Sequence, residues 1–145
     1  MDNESQEMYL KIIYELQEQR EVVRTSDIAS LLKIAPASVT EMLEKLAAMG
    51  LLNHKPYSHP TLTKKGQFLA KKIVRKHRLL EKLLHDYMGL PMEKANIEAC
   101  RLEHALSDGL DQRICILMNR PLHFPGKSAI PHCIKRETCQ KCLSS

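Results

Sequence analysis

Residues 25–50 read TSDIASLLKIAPASVTEMLEKLAAMG, and their spacing decides the fold. Thr25 or Ser26 stands where a helix N-cap wants a hydroxyl, and Asp27–Lys33 then places Ile28, Ala29, Leu31 and Leu32 on a buried side. Ile34, Ala35 and Pro36 break the pattern for three residues. It resumes over Ala37–Met49, where Val39, Met42, Leu43 and Leu46 form one apolar stripe. Pro36 suits a first-turn position, and Gly50 falls where a helix C-terminus needs a residue that tolerates positive φ. Two short helices, a tight turn and a glycine stop predict a helix-turn-helix.

The flanks extend that unit. Asn3 to Gln6 resembles a capping box, and Met8, Tyr9, Ile12, Ile13 and Leu16 recur at helical spacing, so a first helix spans about 4–19. Residues 51–63 read as two short extended pieces around a Pro-containing turn, the wing of a winged helix. Thr63 caps a long helix over 64–88, ended by Gly89 and Pro91. Further helices span 92–107 and 109–119, and Pro121 stops the last. The expected fold is mostly α: a winged helix-turn-helix over 1–65, an α-helical dimerisation domain over 66–120, and an irregular Cys-containing tail over 121–145.

Composition narrows the class. The 145 residues are 43% hydrophobic and 27% charged, ordinary for a globular chain, and only six are aromatic (four Tyr, two Phe), so the core is aliphatic. With no run of about 18 apolar residues and an acidic N-terminus, neither a membrane span nor a signal peptide is expected, which makes the cytoplasm the default compartment. Five cysteines there read as thiols or metal ligands rather than disulfides. No nucleophile elbow or phosphate-cradling glycine loop occurs among only five glycines, which argues against an enzyme.

The net charge of +5 is unevenly distributed. Residues 20–78 hold twelve Lys and Arg against four acids, a local +8 of the kind that meets phosphates, although a solvated charged face would look the same. In a helix-turn-helix the start of the second helix reads base edges, so Ala37, Ser38, Thr40 and Glu41 face the candidate groove, with Ser38, Thr40 and Glu41 as readers. Arg24, Thr25, Ser26, Lys45, Lys55, Tyr57, Ser58 and Lys64 are the candidate phosphate contacts. The expected partner is double-stranded DNA, bound the more weakly as salt rises.

Ligand-type side chains gather in the second half. Cys100, Glu103 and His104 stand at i, i+3 and i+4 and share one helix face, as do His77 and Glu81 at i and i+4. A Glu and His face has little rationale as core unless paired or coordinated, yet a surface pair beside a buried cysteine is common. Spacing alone leaves both readings open.

Glu7-Met8-Tyr9-Leu10 with Ile13-Tyr14-Glu15-Leu16, Lys76-His77-Arg78-Leu79-Leu80-Glu81, and Glu98-Ala99-Cys100-Arg101-Leu102-Glu103-His104 resemble the diphtheria-toxin-repressor (DtxR/MntR) family of metal-dependent transcriptional regulators. The likeness runs over residues 5–120 with the motifs in order. It implies a homodimeric winged-helix repressor with a primary metal site at Met8, Cys100, Glu103 and His104, and an ancillary site including His77, Glu81 and Glu98. The chain departs from the family where Asn96 stands in place of a His, which weakens the ancillary set. A cysteine at position 100 is the iron-type residue, and a thioether, thiol and imidazole form a softer set than manganese prefers; Fe(II) is the expected ion, with Mn(II) and other divalent metals able to bind.

The resemblance implies a switch in which metal joins the first helix to the dimerisation domain and sets two recognition helices about 34 Å apart. Two readings compete with it. One is a winged-helix regulator that senses a non-metal ligand. The other uses the tail, where His132, Cys133, Cys139 and Cys142 could hold zinc or an iron–sulfur cluster as a redox sensor.

Overall fold

The computed structural model describes residues 3–124 and 128–131. The chain divides into two compact units, Met1–Lys71 and Lys72–Ser145. The expected tail ligands His132, Cys133, Cys139 and Cys142 lie outside the described residues.

In the first unit, α1 (Asn3–Gln19), α2 (Thr25–Leu32) and α3 (Pro36–Ala48) precede the strands β1 (Leu52–Asn53) and β2 (Thr61–Leu62). The strands pair antiparallel with Leu52 opposite Leu62, which closes the wing. Ile13, Ile28, Val39, Leu43 and Leu46 are fully buried and form the centre of one aliphatic core with Leu10, Leu51, Leu62 and Ala70. Leu31 is the exception on the expected buried side of α2, and faces solvent.

Local chemistry explains the helix ends. Pro36 opens α3 at its first position. At its far end Gly50 takes φ +74°, Gly50 N–H donates to Ala47 and Leu51 N–H donates to Leu46, which satisfies two orphan carbonyls. The start of α2 differs from expectation: Thr25 lies within the helix, and Asp27 accepts the Arg24 backbone N–H at 2.9 Å. Asp27, at the third helical position, thus accepts the backbone N–H of the N-cap residue, the reciprocal half of a capping box, in place of a hydroxyl of Thr25 or Ser26 accepting a first-turn N–H.

Helix α4 (Lys64–Lys82) begins in the first unit, where Thr63 Oγ1 accepts the Gly66 N–H at 3.1 Å as an N-cap. It then widens into a π-turn over Leu83–Tyr87 and stops at Gly89, φ +74°. In the second unit α5 (Met92–Leu102) and α6 (Leu110–Leu117) follow. Leu79, Leu80, Leu84, Ala95, Ala99, Ile114 and Met118 make a second core. Helix α5 ends at Leu102, five residues before the expected end at Ser107, so Glu103 becomes its C-cap and His104 falls in the turn beyond. The segment expected to be irregular after Pro121 carries a hairpin, β3 (His123–Phe124) with β4 (Ser128–Ala129), and Phe124 and Ile130 join the second core. Strands of two residues are too short to show an alternating pattern.

Candidate metal centre and DNA-facing surface

Glu103 is the centre of the second unit's polar cluster. Its side chain is fully buried, and each carboxylate oxygen meets a different imidazole: Oε2 lies 2.6 Å from His77 Nδ1, and Oε1 lies 3.2 Å from His104 Nε2. His77 comes from α4, and its other ring nitrogen lies 3.5 Å from Glu81 Oε2. Cys100, half-buried one turn before Glu103 on α5, completes a group in which His77, Cys100 and Glu103 each offer a ligand atom within 4.8 Å of the others.

Spacing within single helices separates His77 and Glu81 from Cys100, Glu103 and His104, whereas the fold brings His77 into the Cys100 and Glu103 group. Glu98 is held instead by Arg101 Nη1 at 2.9 Å. Met8 lies in the first unit, partly buried against that unit's core.

The donor chemistry fits a divalent transition ion. A buried carboxylate is stable only when paired or coordinated, and an imidazole and a thiol within reach supply borderline-soft ligands. Where such an ion binds, its charge would neutralise Glu103.

The first unit presents the other surface. Ala37, Ser38, Glu41 and Lys45 are exposed along α3, as are Arg24 and Ser26 before and within α2. Thr40 is half-buried, and its hydroxyl donates to the Pro36 carbonyl at 3.1 Å. Lys45 Nζ sits 2.9 Å from Glu41 Oε1, and this hydrogen bond and charge lower the Glu41 pKa. On the wing Lys55, Tyr57 and Ser58 are exposed, and Lys64 is exposed at the start of α4.

Not all of the local +8 is available to phosphates. Lys72, Arg75, Lys76 and Arg78 belong to the second unit and are bound there. Lys72 and Lys76 pair with Asp108, Arg75 Nε donates to Asp111 at 2.9 Å, Lys76 Nζ donates to the Leu106 carbonyl at 2.6 Å, and Arg78 Nη1 donates to the Ala129 carbonyl. These four cations fasten α4 to the segments after α5 and α6. Their alternation with the apolar Ile73, Val74, Leu79 and Leu80 is the trace such burial leaves in sequence.

A helix-turn-helix with a wing, followed by a unit that buries a His, Cys and carboxylate cluster, defines a metal-responsive DNA-binding regulator. Residues 2–60 match the iron dependent repressor N-terminal DNA binding domain, and residues 63–132 match the iron dependent repressor metal binding and dimerisation domain. The chain belongs to this family of transcriptional repressors, which are not enzymes. It is 42% identical over 119 residues to an uncharacterised HTH-type transcriptional regulator of Methanocaldococcus jannaschii, covering 81% of this chain and 95% of that one. It is 38% identical over 125 residues to the iron-dependent repressor IdeR of Mycobacterium tuberculosis, covering 86% of this chain and 54% of IdeR. The chain therefore spans about half the length of that relative. The solved structure of the manganese regulator SloR superposes with a TM-score of 0.78 at 37% identity, covering 88% of this chain and 60% of SloR. No helix among the described residues is long and apolar enough to cross a membrane.

Proposed function

We propose that this chain is an Fe(II)-dependent repressor that binds a double-stranded DNA operator as a homodimer in the cytoplasm. The observation that carries the reading is the convergence of His77, Cys100 and Glu103 within the stretch that matches the family's metal-binding domain. His104 adjoins the same carboxylate, and Met8 completes the ligand set that the family motif implies. Names of relatives include both iron and manganese regulators, so the ion is argued from ligand chemistry: the thiol of Cys100 and the thioether of Met8 favour Fe(II) over Mn(II).

Dimerisation is supported by large apolar side chains that the second unit leaves exposed, among them Tyr87, Met88, Leu102, Ile116 and Leu117. DNA recognition falls to Ser38, Thr40 and Glu41 on α3, with Arg24, Ser26, Lys55 and Lys64 holding phosphates. Linkage requires that an ion which favours operator binding is itself bound more tightly on the operator.

The test is an anaerobic titration of Fe(II) and of Mn(II) against a duplex that the protein selects from a random pool. Fe(II) should support binding at the lower concentration, and a chelator should abolish it. Met8→Ala and His104→Ala should each weaken the metal response while leaving the melting temperature near that of the parent. Operator binding indifferent to chelator would overturn the reading.

A further inference from the structure

Helix α5 ends at Leu102, and the two ligand-type residues that follow are held differently. The Glu103 N–H still donates to the Ala99 carbonyl at 2.9 Å, which ties Glu103 to the helix. Beyond it the chain turns, and the Ala105 and Leu106 N–H groups both donate to the Leu102 carbonyl at 3.1 Å. His104 sits in that turn. Two residues after it, the Leu106 carbonyl accepts Lys76 Nζ of α4 at 2.6 Å, and the same ammonium donates to Asp108 Oδ1 at 3.0 Å. Lys72, one turn earlier on α4, pairs with the other oxygen of Asp108.

Lys76 is 6% exposed, and an ammonium so buried has to be paired. What matters is where its partners lie. Lys76 adjoins His77 in the chain, so its two bonds join the stretch of α4 that carries His77 to the turn that carries His104. Those are the two imidazoles that meet opposite oxygens of Glu103, at 2.6 Å and 3.2 Å. A bond from a charged donor is among the stronger kinds, and ligands keep their geometry only where such outer contacts lock them. Charge alone would act the other way, because a fixed ammonium opposes the entry of a second cation.

We propose that Lys76 is a positioning residue for the metal centre: by holding the Leu106 carbonyl and Asp108 against α4, it fixes the turn so that the His104 imidazole reaches the same carboxylate as His77. This deepens the metal-dependent reading above and rests on it.

The experiment is a double-mutant cycle on the full chain, with Co(II) affinity measured by competition against a chelator. Lys76→Met should bind Co(II) roughly tenfold or more weakly, the range seen when an outer partner of a ligand is lost. In the His104→Ala background the same substitution should change the affinity by less than about twofold, because the ligand it positions is already gone. Parent-like or tighter binding by Lys76→Met would overturn the proposal, tighter binding being what the loss of a positive charge predicts by itself. Equal losses in the two backgrounds would also overturn it, and would make Lys76 a residue of the fold alone. Should Lys76→Met lack the parent's circular dichroism, Lys76→Gln takes its place in the cycle under the same criteria. Its amide can pair with a buried carbonyl but reaches one bond less far. If neither His104→Ala nor Glu103→Gln weakened Co(II) binding, the metal-centre reading beneath the proposal would fall instead.

Discussion

His77 Nδ1 on α4 lies 2.6 Å from Glu103 Oε2 at the end of α5, and the two side chains are 7% and 0% exposed. A buried carboxylate facing a buried imidazole needs a compensating positive charge, which a divalent cation held by the same group could supply. Glu103→Gln keeps the shape and removes the charge, and should lower Co(II) affinity by about two orders of magnitude or more, beyond the effect of losing an outer hydrogen-bonding partner. His77→Ala should also shift the Co(II)–thiolate absorption of Cys100, because both donors belong to one group. An unchanged thiolate band in His77→Ala would return His77 to a separate site.

That outcome bears on what the sequence could reveal. The helix-turn-helix was legible because its information is local: Val39, Leu43 and Leu46 repeat at helical spacing, and Gly50 marks the stop. Cys100 and Glu103 were legible for the same reason, one turn apart. The association of His77 with Glu103 is tertiary, across 26 residues, and no periodicity encodes it. The family motif supplied both residues but assigned them to different sites. Charge was over-read for a related reason: counting cations over residues 20–78 cannot separate Lys55, which is exposed, from Arg75, which is buried against Asp111.

Asp108 shows how those buried cations govern stability. The hydrogen bond from Lys72, then that from Lys76, hold its carboxyl below the usual carboxylate range. A carboxyl whose pKa is lowered by folding stabilises the native state above its unfolded value, about 3.9, and that contribution is lost as pH falls through the lower folded value. Asp108→Asn removes the charge at every pH. Melting temperatures of parent and variant should therefore differ near pH 6 and converge as pH falls through the lowered folded value, where the parent's carboxyl is also protonated. A constant gap across the acid range would show that the two lysines are not what holds this carboxyl ionised.

Gly66 tests the packing of α4 on the head. A Cβ built there would overlap the carbonyl oxygen of Leu51 and press on Leu62, and Leu51 already accepts the Thr63 N–H at 3.1 Å. Backbone cannot yield as the end of a side chain can. Gly66→Ala should destabilise the chain by roughly 1–3 kcal/mol despite alanine's better helix propensity, read as a lowered urea midpoint at unchanged m. A stabilised variant would mean that the Thr63 cap and the wing's return strand do not approach α4 as closely as this.

The pair Glu41 and Lys45 makes a prediction of opposite sign to most substitutions on a binding surface. Both face solvent on α3, and Lys45 Nζ is held 2.9 Å from Glu41 Oε1, so part of the cation's charge is cancelled where phosphates would approach. An exposed i, i+4 pair adds little to stability, so removing it should leave the fold intact. Glu41→Gln takes away a charge that repels phosphate and releases Lys45 toward the backbone. Affinity for a random-sequence duplex should rise several-fold, and the salt slope should steepen by up to roughly 0.9 as one more phosphate is neutralised. Against a selected operator the gain should be smaller wherever Glu41 accepts a hydrogen bond from a cytosine amino group, because the amide that replaces it is a weaker acceptor. The difference between the two gains therefore measures how far Glu41 reads bases. An unchanged affinity for random duplex would place this stretch of α3 away from the phosphates altogether.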